Sequence, residues 1–99
     1  MEIKTRFSKN HYGYNACTIL HAVKGQSYEI FTMRRYSGKL VSCCTAVTIS
    51  DNFTSHDWDA ECRYITHSNV KRCTQKAVKQ AHVKAVGEFM EQLKMKVNP

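Results

Sequence analysis

The sequence has little proline and glycine, with one proline and four glycines among its 99 residues. Such a composition excludes collagen-like and low-complexity chains, and 42% hydrophobic residues are enough for a modest core. No apolar run approaches the roughly 18–20 residues that a membrane-spanning helix needs. We therefore expect a single folded domain over residues 1–99 that does not engage a membrane.

The beginning of the chain lacks the apolar core of a secretion signal, because residues 1–7 alternate polar and apolar side chains. The five cysteines are an odd number, and we expect them to remain free, mostly buried thiols. The neighbouring Cys43 and Cys44 would point to opposite faces of a strand, which argues against a bond between them. These features predict a cytoplasmic protein.

Signatures of catalysis are also missing. The four glycines are too far apart for a G-x-G or P-loop pattern, and no G-x-S-x-G sequence presents a nucleophile. The soft ligands Cys62, His67 and Cys73 are separated by four and five residues, whereas structural zinc sites pair their ligands as C-x2-C or H-x3-H. The sequence therefore predicts a non-catalytic protein with no cofactor and no metal ion.

One metal-dependent alternative stays open in the acidic stretch at 51–61. Asp57, Asp59 and Glu61 alternate, so in a strand they would share one face, where three carboxylates can bind a divalent cation. This arrangement would suit a small metal-dependent nuclease. The residues of this stretch leave undecided whether it forms a strand, a loop or a short helix around Trp58.

Most of the chain before residue 66 alternates in the manner of half-buried strands. Strands are predicted at 2–7, 14–23, 28–35 and 39–49, with a fifth around 62–65. Reversals are predicted around Gly25 and Gly38, with polar connections at 8–13 and 50–55. Strands joined by such short hairpins form an antiparallel meander.

The last third of the chain, residues 70–97, has the periodicity of an amphipathic helix. Its apolar face also carries His82, which we predict to be a hydrogen-bonded core histidine. Thr74 or Asn69 is the expected N-cap, and Asn98-Pro99 the expected end. The predicted fold is therefore α+β, with strands over residues 1–66 forming an antiparallel four- or five-stranded sheet packed on one C-terminal helix.

One helix can cover only one face of such a sheet. On the other face we place Tyr28, Ile30 and Thr32, which would leave an apolar surface open to a partner. This favours an alternative function, a protein–protein adaptor or a homodimer formed through that outer face. The competing interpretation is that the 50–58 segment, with Phe53 and Trp58, folds over it.

The net charge of +7 is high for a chain of this size, and it is unevenly distributed. Between Cys62 and Gly87 the sequence has six lysines and arginines and no acid. A second basic group surrounds the turn that contains Tyr36. Such clusters predict that the partner is nucleic acid or a protein–RNA complex, bound through phosphates and by stacking. The predicted binding residues are Arg34, Arg35, Tyr36, Lys39, Lys71, Arg72, Lys76 and Lys79.

The sheet-and-helix plan is similar to that of double-stranded-RNA-binding and integrase arm-binding domains, although the leading helix of the former is absent. The whole chain, from the strands at 2–7 and 28–35 to the helix end at 91–97, also resembles small phage-encoded proteins that disable host defences, the anti-CRISPRs among them. This resemblance implies stoichiometric inhibition of a ribonucleoprotein. Many such inhibitors are acidic nucleic-acid mimics, whereas the charge of +7 here implies that cations occupy phosphate sites.

Overall fold

The computed structural model describes residues 4–11, 13–23, 25–35, 37–50, 53–56 and 62–97. Its elements in chain order are β1 (Lys4–Asn10), β2 (Gly13–Val23), β3 (Gln26–Arg34), β4 (Lys39–Ser50), β5 (Phe53–His56), β6 (Arg63–Asn69) and α1 (Gln75–Val97). The predicted α+β fold, an antiparallel sheet with a single C-terminal helix, is confirmed. Within the described residues, no helix has the length and apolarity needed to cross a membrane.

The sheet is an antiparallel meander in the order β1-β2-β3-β4, and its last position is shared by two strands. β5 pairs with the C-terminal part of β4, where His56 lies opposite Val47. β6 pairs with the N-terminal part, where Thr66 lies opposite Val41. Because Val41 and Val47 also pair with β3, both short strands lie along the same edge of β4.

Two predicted connections are wrong in part. β1 continues to Asn10, because the polar residues Ser8 and Lys9 pair with Asn15 and Tyr14 of β2. The predicted loop at 50–55 contains β5, a strand too short to show alternation in the sequence. The fifth strand predicted around 62–65 corresponds to β6. Residues 51–52 and 57–61, including the three acids of the nuclease alternative, lie outside the described residues.

The helix begins at Gln75, so the predicted start at residue 70 is wrong. The amide of Val70 donates instead to the carbonyl of Gly38 at 3.0 Å, which keeps this part of the backbone extended along the β3–β4 hairpin. Thr74 is the N-cap, since the Ala77 amide donates to its Oγ1 at 3.2 Å. The other predicted cap, Asn69, is the last residue of β6.

The core lies between α1 and one face of the sheet. Near the C-terminal half of the helix, Phe89 packs among Leu20, Ile30 and Cys44, and all four are at most 2% exposed. Near its beginning, Val78 packs against Ala16, Leu40 and Cys73. In β2 to β4 the even-numbered residues therefore face the helix, as the two-residue period of a strand requires.

This packing corrects the prediction for the outer face. Ile30 and Thr32 are 0% exposed beneath the helix, and Tyr28 packs against the same core cluster. These three residues cannot form the outer interface proposed for an adaptor or homodimer. Both faces of β3 are partly apolar, so alternation alone did not distinguish them. The face turned away from the helix carries Phe31 and Met33.

Candidate nucleic-acid interface

Two hairpins and the segment leading into α1 meet at one end of the molecule. The β3–β4 turn is joined to this segment by the hydrogen bond from the Val70 amide to the Gly38 carbonyl. The β1–β2 turn is joined to it by the Tyr14 amide, which donates to the Cys73 carbonyl at 3.0 Å. The Cys73 thiol donates back to the Tyr14 carbonyl at 3.1 Å. Residues far apart in the sequence therefore form one continuous surface.

Most of the predicted binding residues lie on this surface, which we call the basic end. The cations that form the basic end are all exposed: Arg35, Lys39, Lys71, Arg72, Lys76 and Lys79. Tyr36 lies outside the described residues. The sequence predicted two separate basic segments, and the structure brings both to the end where the helix begins.

Arg34 has a different position from the other predicted cations. Its side chain is half-buried, and its Nε donates to the carbonyl of Val70 at 3.3 Å. The neighbouring Arg35 is exposed, as expected when adjacent residues of an extended chain point to opposite sides. Arg34 therefore braces the hairpin against the segment that precedes the helix, while Arg35 remains available to a ligand.

Within the described part of the chain, no carboxylate forms an ion pair with a residue of the basic end. There, the one ion pair joins His56 Nε2 to Glu29 Oε1 at 2.9 Å and involves no residue of the basic end. The described acids are Glu29, in the middle of β3, and Glu88 and Glu91, in the second half of α1. The first turn of the helix has no acid, so the positive end of its dipole adds to the positive potential.

A chain of hydrogen bonds crosses the sheet beneath α1. The fully buried His82 stands at its centre, with Nε2 2.7 Å from Thr18 Oγ1 and Nδ1 2.7 Å from Thr32 Oγ1. On one side of the ring, Thr18 Oγ1 is also hydrogen-bonded to Thr5 Oγ1, at 2.8 Å. On the other side, Thr32 Oγ1 is hydrogen-bonded to Ser42 Oγ at 2.5 Å. Ser42 Oγ is in turn hydrogen-bonded to His67 Nε2 at 2.8 Å. The chain thus connects β1, β2, α1, β3, β4 and β6.

Burial also determines the protonation state of the central ring. Burial, and secondarily the nearby His67, lower the pKa of His82 from 6.5 to about 4, so the ring is neutral near pH 7. A neutral imidazole donates through one nitrogen and accepts through the other, so His82 donates to one of Thr18 and Thr32 and accepts from the other. The predicted hydrogen-bonded core histidine is confirmed, and its two bonds join α1 to β2 and β3.

The soft metal ligands named in the sequence do not converge. Cys62 Sγ lies 3.3 Å from Thr45 Oγ1, His67 bonds to Ser42, and Cys73 bonds to the Tyr14 carbonyl. Among the described residues there is no group of three or more side chains suited to a metal ion. All five cysteines are free thiols.

A row of side chains on the open face of the sheet was not predicted. Direct pairing places them side by side across five strands, in the order Arg6, Cys17, Phe31, Cys43 and Tyr64. We call this set the open-face row. Tyr64 is 60% exposed. Only the strand register reveals this row, because its members are spread over most of the chain.

The open-face row and the basic end together form a surface that is positive at its rim and partly aromatic in its middle. No protein-family model matches the sequence, and comparisons with curated proteins and with solved structures find no match.

Proposed function

We propose that this protein is a non-catalytic binding protein that engages nucleic acid, free or within a protein–RNA complex, through the basic end. Lysines and arginines bind phosphates and release condensed counterions, which provides most of the affinity of such contacts. Serial phosphate contacts fix the position of the ligand without reading its sequence. The proposed role therefore needs a dense, accessible group of cations and no catalytic residue.

The observation that carries the proposal is the convergence of two basic segments on one end. Arg35 and Lys39 come from the β3–β4 hairpin, whereas Lys71 and Arg72 precede the helix, and hydrogen bonds hold the two segments together. A solubilising lysine face would not require such placement. Its cations would be dispersed over the surface and mixed with acids.

The proposed biological role is stoichiometric inhibition of a nucleoprotein, as in the small phage-encoded counter-defence proteins that the chain resembles. The cations would occupy sites that normally receive phosphates or lie against guide RNA. The five free thiols are consistent with action in the reducing cytoplasm. Inhibition of this kind requires a stable binding surface and as many inhibitor molecules as target molecules, but no catalytic turnover.

Salt dependence tests the proposed function. We expect Lys71→Glu to weaken binding of a fluorescein-labelled duplex and to reduce the slope of log K against log salt by about 0.7–0.9, the value of one phosphate contact. The measurement is fluorescence anisotropy over a salt series.

The matched control is Lys84→Glu, which makes the same change of charge at an exposed site of the same helix, about 14 Å along its axis from Gln75. Its affinity and slope should stay close to those of the wild type. The proposed function fails if neither duplex nor single strand binds at low salt, or if the two variants lose affinity equally.

A further inference from the structure

The open-face row contains two aromatic side chains, and their positions suit unpaired bases. Phe31 and Tyr64 are each paired with Cys43, on opposite sides of it. Since neighbouring strands are about 4.8 Å apart, the two ring-bearing residues are separated by roughly 9.6 Å across the sheet. Of the large apolar and aromatic side chains that the structure describes, only Ile49, Tyr64 and Val83 are exposed, and Tyr64 is the aromatic one.

The row is continuous with the basic end. Arg35 and Lys39 flank the β3–β4 turn, and the Arg35 amide donates to the Lys39 carbonyl at 2.8 Å. Arg35 directly follows the last residue of β3 and lies four residues after Phe31, so the alternation of an extended chain places it on the same side. A hydrogen bond with Cys62 raises the pKa of the Tyr64 phenol, and the Arg35 charge opposes this as the smallest of the contributions. A polyanion bound at the basic end can therefore extend onto the open face of the sheet.

Cations also border the other end of the row. Arg6, its last member, lies on the exposed strand β1 beside Lys4. Both residues line a cavity of about 460 Å³, together with the half-buried Cys17 and Ile19 and the acid Glu29. This volume is within the range of about 300–1,000 Å³ that is typical of ligand pockets. The row therefore runs from one group of cations to another, and its β1 end opens into a recess.

Little on this face repels an anion. Glu29 is the one acid that the described residues place there, and it is paired with His56 at 2.9 Å. Burial raises the pKa of Cys17 to about 11 and raises the pKa of Cys43, so both thiols are uncharged near pH 7. Apart from Glu29, the described residues between the two groups of cations are consequently uncharged, and the surface there is partly apolar.

From this arrangement we infer that the open face of the sheet binds single-stranded nucleic acid, with Tyr64 and Phe31 stacking on bases while Arg35, Lys39 and Arg6 contact phosphates. The inference rests on the proposed function and makes it more specific. A duplex hides the faces of its bases and presents phosphates, so it engages the basic end alone. A single strand exposes its bases, and aromatic side chains stack on them with little regard to sequence.

The test compares an oligothymidine of about 12 nucleotides with a duplex of the same length, using labelled ligands and fluorescence anisotropy. We expect Tyr64→Leu to weaken binding of the oligothymidine by about 5-fold or more, the lower range for loss of one stacked base. Duplex binding should change less than about 2-fold, because Tyr64 contacts no phosphate in this scheme.

Three further variants keep the test decisive. Tyr64→Phe retains the ring and should bind like the wild type, which separates stacking from the loss of the hydroxyl. Val83→Ala changes an apolar residue that is 64% exposed on the helix, on the other side of the molecule, and should have no effect. Phe31→Leu preserves apolar volume in the half-buried middle of the row and should also weaken single-strand binding.

The outcomes separate this inference from the proposed function. If Tyr64→Leu and Phe31→Leu bind the oligothymidine like the wild type while Lys71→Glu weakens it, the inference is overturned and the basic end survives. Sedimentation that shows a wild-type dimer dissociated by Tyr64→Leu would also overturn it, because the face would then belong to a second copy. Absence of all binding at low salt removes both proposals.

Discussion

His82 binds the helix to the sheet through its two ring nitrogens. His82 belongs to α1, and its side chain is 1% exposed. The ring lies on the side of the helix that faces the sheet, between the hydroxyl groups of Thr18 in β2 and Thr32 in β3. A buried polar group is tolerated only when its hydrogen bonds are made, and each partner left unsatisfied costs about 1–3 kcal/mol. His82 therefore specifies how α1 is seated along the sheet, which an apolar residue at this site could not do.

The low pKa of His82 predicts that stability depends on pH. In the unfolded chain the ring takes up a proton near pH 6.5, whereas in the folded protein it does so only near pH 4. The contribution of His82 to the free energy of unfolding is therefore complete above pH 6.5 and is lost as the pH falls towards 4. The loss amounts to about 3 kcal/mol at most. Urea unfolding at a series of pH values measures the loss.

The control for this prediction is His82→Leu, whose side chain does not titrate. It should be less stable than the wild type near pH 7, since Thr18 and Thr32 each lose a partner. The stability difference between the two proteins should shrink as the pH falls to about 4. A difference that stays constant across this range would show that His82 is not buried in its neutral form.

At the scale of elements, the basic end depends on the close approach of the β1–β2 turn to the segment before α1. Gly13 has a φ of +115°, and a Cβ at this position would lie 2.6 Å from the carbonyl oxygen of Cys73. Both the backbone conformation and the lack of space require glycine here. The contact holds Lys71 and Arg72 beside the hairpins.

We therefore expect Gly13→Ala to lower the free energy of unfolding by about 1–3 kcal/mol, because φ is unfavourable and Cys73 must move. Gly87→Ala is the matched control, since Gly87 lies within α1 with no atom within 4 Å of the added Cβ. It should raise stability by about 0.5–1 kcal/mol. Thermal unfolding compares the two, and equal effects would contradict the packing described for Gly13.

The elements themselves could be predicted wherever their pattern is long. α1 shows its apolar face over many turns, so its type could be recognised, whereas Thr74 was only one of the two caps that the sequence predicted. β5 has only four residues and no visible alternation, and β1 ends in polar residues that nevertheless pair. Short strands form because a neighbouring strand pairs with them, and the local sequence does not show which strand that is.

The candidate site was predictable in part for a similar reason. Runs of lysine and arginine are visible in the sequence, but their convergence depends on tertiary contacts such as that between Gly38 and Val70. The open-face row requires the strand register, because its five members are separated by 11 or more residues. The error over Tyr28, Ile30 and Thr32 arose because both faces of β3 are partly apolar.

For the whole molecule, the net charge of +7 is less informative than its distribution. The basic end has six exposed cations, whereas Glu88 and Glu91 lie in the second half of α1. Such asymmetry orients an approaching polyanion and raises the rate of productive encounter at low salt. We therefore expect nucleic acid to bind at this end of the molecule rather than over its whole surface.

The most direct test is to map the binding surface by the chemical shifts of backbone amides during titration with the oligothymidine at low salt. We expect the largest changes at residues 35–39 and 70–76, with further changes around Tyr64. The amides of Val83, Gly87 and Glu91, on the exposed side of α1, should hardly move. Changes centred on that exposed helical side, with the basic end unaffected, would overturn both proposals.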